Sequence, residues 1–99
     1  MTVKLIGLIK LIEPTAFEEY RSQVGATVEK FGGRVTQRAS VTQTFWNELG
    51  SDEFEGPDAF VELEFANLAD AARWATSDDY GELLAVRSRA MKLTLFAIE

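Results

Sequence analysis

The chain contains no cysteine and no histidine. Without cysteine there is no disulfide, no thiolate nucleophile and no zinc–sulfur site. Without histidine there is no Ser–His triad, no histidine-ligated haem and no histidine-based zinc or non-haem iron site. No apolar run nears the roughly 20 residues of a membrane span. Cations are outnumbered: 10 Lys and Arg stand against 16 Asp and Glu, a net charge of −6. Nucleic-acid binding needs clustered cations, and an anionic lipid surface repels an acidic protein. Neither partner is expected. The start, MTVKLIGLIKLIEP, is apolar but alternates with a period of two and lacks a small-residue cleavage site. It reads as a strand, not a signal peptide, and a cytoplasmic location is the expectation.

What is present is a core. Of the 99 residues 46% are apolar, which suits one globular domain over residues 1–99. Residues 3–12 alternate as a strand, with Val3, Leu5, Gly7, Ile9 and Leu11 on one side and Lys4, Ile6, Leu8, Lys10 and Ile12 on the other. Pro14 suits the first turn of a helix. Phe17, Tyr20, Val24, Thr27, Val28 and Phe31 then recur at three- and four-residue steps, and Gly32-Gly33 ends the run. Residues 34–46 form a strand candidate rich in Val, Thr and aromatics. Its parity places Arg34, Thr36, Arg38, Ser40, Thr42, Thr44 and Trp46 together. Residues 47–58 form an acidic loop, longer than a hairpin requires. Residues 59–65 alternate cleanly, with Phe60, Glu62 and Glu64 on one face. Residues 67–90 read as a helix broken in two, with Asn67 and the Ser77-Asp78-Asp79 run as caps. Residues 91–98 are the last strand.

Strand, helix, strand, strand, helix, strand is the order of the α+β ferredoxin-like βαββαβ unit. Two right-handed crossovers put both helices on one face of a four-stranded antiparallel sheet. Strand parity then loads the other face with Lys4, Ile6, Leu8, Lys10, Arg38, Thr42, Phe60, Glu62, Thr94, Phe96 and Ile98. Left in water, that apolar surface is one that monomers avoid. A homodimer that packs sheet against sheet, as a barrel-like sandwich, is the expected remedy.

Several residues carry a resemblance. Trp74 and Tyr80 flank Thr76-Ser77, Arg87 follows seven residues after Tyr80, Tyr20 lies upstream, and Phe31-Gly32-Gly33-Arg34 and Glu64-Phe65 bracket the middle strands. In order and spacing this resembles a domain-of-unknown-function family of small bacterial proteins in the dimeric α/β-barrel superfamily. The resemblance implies a ferredoxin-like protomer and a sheet-mediated dimer, and it implies no established reaction. Related branches include cofactor-independent monooxygenases, muconolactone-isomerase-like enzymes and haem-dependent peroxidases. The chain departs from the pattern at Arg38-Ala39-Ser40, where Arg-Gly-Gly is expected, and in the acidic loop with Trp46, Asp52, Glu53, Phe54 and Glu55.

The parity argument puts Arg38 and Glu62 on the face away from the helices. There they read as an anion-holding arginine beside a general-base carboxylate, or as an ion pair at the dimer interface. On the first reading Trp46, Phe60 and Phe96 supply apolar walls, and Lys10 joins the site or reaches solvent. Trp74 borders a pocket or packs against the neighbouring helix. Tyr80 anchors the second helical piece or donates a hydrogen bond. Arg87 pairs with Asp78, Asp79 or Glu82, or reaches a helix C-terminus. Asp52, Glu53, Glu55 and Asp58 lack the spacing of a calcium loop, and Gly32-Gly33 opens onto a strand rather than the helix a phosphate loop requires. No metal and no cofactor is expected. Two functions remain: a small-molecule pocket on the inner sheet face for cofactor-independent proton transfer or isomerisation of a small organic acid, or a non-catalytic binding or assembly module whose inner face is only the dimer interface.

Overall fold

The computed structural model describes residues 2–48 and 56–99. The elements run β1 (Val3–Leu11), α1 (Pro14–Lys30), β2 (Arg34–Ser40), β3 (Ala59–Phe65), α2 (Leu68–Ala75), α3 (Asp78–Gly81), α4 (Leu84–Ala90) and β4 (Met91–Ile98). The sheet order is β2-β3-β1-β4, with every neighbour antiparallel. This is the ferredoxin-like βαββαβ architecture, with the core between the helices and one face of the sheet.

Each element has a local cause. Pro14 opens α1. At its other end Gly33 N–H bonds Val28 O at 3.0 Å and Gly32 N–H bonds Glu29 O at 3.0 Å. Both bonds need Gly32 at φ 81°, a conformation that side chains disfavour. Asn67 caps α2 by accepting Asp70 N–H at 2.8 Å. Ser77 caps α3 by accepting Tyr80 N–H at 3.1 Å. The helical region after β3 breaks into three pieces where two are expected, because the chain turns again at Glu82-Leu83 before α4.

Directly paired residues of an antiparallel ladder point to the same side. Val3 pairs with Phe65 and Leu5 with Leu63, and all four are buried beneath the helices. The alternation of β1 holds: Val3, Leu5, Gly7 and Ile9 are buried and Lys4, Ile6, Leu8 and Lys10 are half-buried. Two glycines permit close packing. A Cβ on Gly33 would lie 2.5 Å from the Phe65 ring, and one on Gly7 would lie 2.6 Å from Val61 Cγ1.

The strand β2 departs from simple alternation. Val35 pairs with Leu63, but Gln37 pairs with Glu62, so Thr36 is an extra residue in a β-bulge. The Thr36 hydroxyl lies 2.6 Å from Glu62 Oε2 and 3.1 Å from the Glu62 carbonyl oxygen. Every residue after the bulge is turned over. The strand also ends at Ser40, short of the expected Trp46. Past the Val41 N–H to Asp58 O bond at 2.9 Å, residues 42–48 lie outside any strand. Asp52, Glu53, Phe54 and Glu55 lie outside the described residues.

Candidate functional site

Between α1 and the sheet lies a cavity of about 350 Å³. Phe17, Tyr20 and Val24 of α1 roof it, all four strands contribute to its floor, and Trp74 of α2 is part of its wall. The volume falls within the range of small-ligand pockets, and an apolar lining with few polar groups is their usual composition. Ser40 and Ala59, small residues paired across β2 and β3, lie along it. Glu18, Arg21 and Arg38 are its charged lining residues.

The bulge brings Arg38 here. Arg38 pairs with Val61, and Val61 pairs with Gly7 on the helix-covered side. The expectation that Arg38 and Glu62 share the open face is therefore corrected: Thr36 inverts the parity between them. Glu62 stays on the open side, 3.7 Å from Lys4 Nζ and bonded to Thr36. Arg21 is held by both carboxylate oxygens of Glu18 at 3.0 and 2.9 Å. Among the described residues Arg38 has no carboxylate partner, and its side chain is exposed. A guanidinium beside an apolar cavity is the arrangement that recognises a carboxylate.

The other expected site residues scatter. Phe60 lines the cavity. Phe96, 44% exposed, stands opposite Ile6 on the open face. Trp46 is 84% exposed. Lys10 lies 3.5 Å from Asp58, whose Oδ2 also accepts the Leu11 N–H at 2.8 Å. Of the expected set only Arg38 lies on the cavity's side of the sheet; Phe60 pairs with Leu8 of the open side and borders the cavity from there.

Deeper in, three side chains form a chain of hydrogen bonds. The Tyr20 and Tyr80 hydroxyls lie 2.9 Å apart, and Arg87 Nη1 donates to the Tyr80 oxygen at 3.0 Å. Arg87 thus reaches Tyr80 rather than the acidic residues expected to hold it. Of those, Asp79 instead binds Lys30 at 2.8 Å, joining the end of α1 to α3; this hydrogen bond lowers the Asp79 pKa and raises that of Lys30. Burial, reinforced by Tyr80, pushes the Tyr20 pKa well above that of a free phenol. Trp74 does both things open to it. It packs between Phe65 and Tyr80, with ring centroids at 5.7 and 4.6 Å, and it lines the cavity. Its indole N–H donates to Thr27 Oγ1 at 3.0 Å. Thr27 carries the one signal the sequence offered for this bond, a polar residue within the apolar stripe of α1.

The comparisons agree with this architecture. A family model described as a domain of unknown function, DUF1330, matches residues 3–99. A protein of unknown function from Rhodopseudomonas palustris is similar in structure at 18% identity and TM-score 0.77, over 98% of this chain and 80% of that one. SnoaB, a cofactor-independent oxygenase from Streptomyces nogalater, is similar at 8% identity and TM-score 0.67, over 99% of this chain and 91% of that one. A dimeric ferredoxin-like protein of unknown function from Bacteroides fragilis is similar at 14% identity and TM-score 0.56, over 99% and 95%. No curated protein matches the chain.

Proposed function

Because the chain belongs to the DUF1330 family, a domain of unknown function, we propose its function from the site. It is a homodimer that binds a small, largely apolar carboxylic acid between α1 and the sheet, with Arg38 holding the carboxylate. The observation that carries this reading is an arginine, without a carboxylate partner among the described residues, that lines an apolar cavity of about 350 Å³. Dimerisation and ligand binding then use opposite faces of one sheet. The open face, with Ile6, Leu8, Phe96 and Ile98, fits a second copy, and the Bacteroides fragilis protein of this fold is described as dimeric.

The reading is one of binding before turnover. Glu62, the expected proton carrier, lies across the sheet from the cavity, and Glu18, a cavity-lining carboxylate, is engaged by Arg21. The alternative, an assembly module with no ligand, is supported by the pairing of Glu62 with Lys4 on the open face.

Trp74 supplies the test. A Trp46→Phe background leaves Trp74 as the only tryptophan of the 2. Titrating this protein with 4-phenylbutanoate should change Trp74 emission saturably. Arg38→Ala should weaken binding by about tenfold or more, the usual loss of a charge-assisted bond. If a panel of small carboxylic acids alters neither Trp74 emission nor the melting temperature, the site is not a carboxylate pocket.

A further inference from the structure

The Tyr20–Tyr80–Arg87 chain holds more donors than acceptors. Arg87 Nη1 occupies the Tyr80 oxygen as a donor. One bond joins the two hydroxyls, and either hydrogen can make it. Two phenol hydrogens therefore share one bond, and one is left over. Among the described residues neither hydroxyl has any further partner.

The two ways of assigning the hydrogens differ in where the spare one goes. If Tyr20 donates to Tyr80, the Tyr80 hydrogen is stranded: Tyr80 is 4% exposed and is not among the residues lining the cavity. If Tyr80 donates to Tyr20, the spare hydrogen belongs to Tyr20, which is 8% exposed and does line the cavity. A buried donor without an acceptor bears its full loss of hydration, so the second assignment prevails. Arg87 favours it by fixing Tyr80 as an acceptor on its other side.

We propose that the cavity's ligand carries a carbonyl or equivalent hydrogen-bond acceptor that takes the Tyr20 hydroxyl proton as a hydrogen bond, and that Arg87 directs this donor through Tyr80. The proposal rests on the carboxylate-binding reading above and narrows it to oxo acids. Tyr20 is the contact residue, and Tyr80 and Arg87 are positioning residues.

A matched pair of ligands tests it: 4-oxo-4-phenylbutanoate and 4-phenylbutanoate differ only by a ketone. Titrated against the Trp46→Phe protein, the oxo acid should bind about fivefold more tightly, the worth of one neutral hydrogen bond. Tyr20→Phe should bring that ratio to one or below. Arg87→Met should lower the ratio and Arg87→Lys, which still donates, should restore it. The ketone stretch of the carbon-13-labelled oxo acid should lie at lower wavenumber when bound to the parent than when bound to Tyr20→Phe, a signature that packing alone does not produce. Equal affinity of the two acids for the parent, or a ratio unmoved by Tyr20→Phe, overturns the proposal while the carboxylate pocket stands. Binding of neither acid overturns the pocket reading and this one with it.

Discussion

On the helix-covered side of the sheet Val3, Leu5, Leu63 and Phe65 are 5% exposed or less, whereas on the opposite side Phe96 and Ile98 are 44% and 45% exposed. Both sides are rich in apolar residues, and the first is covered by α1, α2, α3 and α4. The polar atoms differ in the same sense. On the covered side the indole of Trp74 and the phenols of Tyr20 and Tyr80 are tied to one another or to Thr27 and Arg87. On the open side Lys4–Glu62, Lys10–Asp58 and Arg34–Glu64 pair near solvent. A buried polar atom must find a fixed partner, while a half-exposed ion pair contributes little and exchanges readily with water. The covered face is built to be specific, and the open face suits the proposed contact with a second copy.

Substitutions should separate the two faces. The largest effect is expected from Trp74→Ala, which removes a side chain 2% exposed. It should lower protomer stability by about 4 kcal/mol, read in urea unfolding. A loss below about 1 kcal/mol would mean that this side is not the core.

Leu8→Glu on the open side should act differently. It places a charge at the proposed sheet-to-sheet contact and should weaken self-association by about a hundredfold. Light scattering should move from twice 11.0 kDa to 11.0 kDa, with the circular dichroism unchanged. A parent protein already at 11.0 kDa at micromolar concentration would end the dimer reading.

Glycines sharpen the same contrast. Gly33→Ala drives a methyl to within 2.5 Å of the Phe65 ring and should cost about 2 kcal/mol. Gly25→Ala in α1 meets nothing within 4 Å and should stabilise by roughly 0.5 to 1 kcal/mol. Equal effects at both positions would show that Phe65 can yield.

At neutral pH no effect is expected from the Tyr20 proton; it acts on alkaline stability. The unfolded chain releases a tyrosine proton near pH 10, whereas burial keeps Tyr20 protonated to higher pH. Above about pH 10 the unfolded state therefore binds fewer protons than the folded one, and stability falls as pH rises, by about 1.4 kcal/mol per pH unit. The chain has only 2 tyrosines, so tyrosinate absorbance reads them directly. At pH 11 the folded protein should show less of it than the denatured chain.

The order of elements, the caps at Asn67 and Ser77 and the two-sided alternation of β1 were all legible in the residues. They depend on neighbours close in sequence, on a repeat of two or 3.6 residues and on side chains that reach their own backbone. The place of Arg38 was not. Thr36, as an extra residue, turns Arg38 towards the helices, and a bulge leaves no trace in the alternation of types. The partners of Tyr20 and Trp74 were equally hidden: Tyr80 lies 60 residues from Tyr20, and Thr27 lies 47 residues from Trp74. By itself the sequence determined a βαββαβ sheet with two apolar sides, because periodicity is a local property. Only the tertiary structure decided which side holds the cavity and on which side of the sheet Arg38 lies, because register and the meeting of distant side chains arise only when the strands pair.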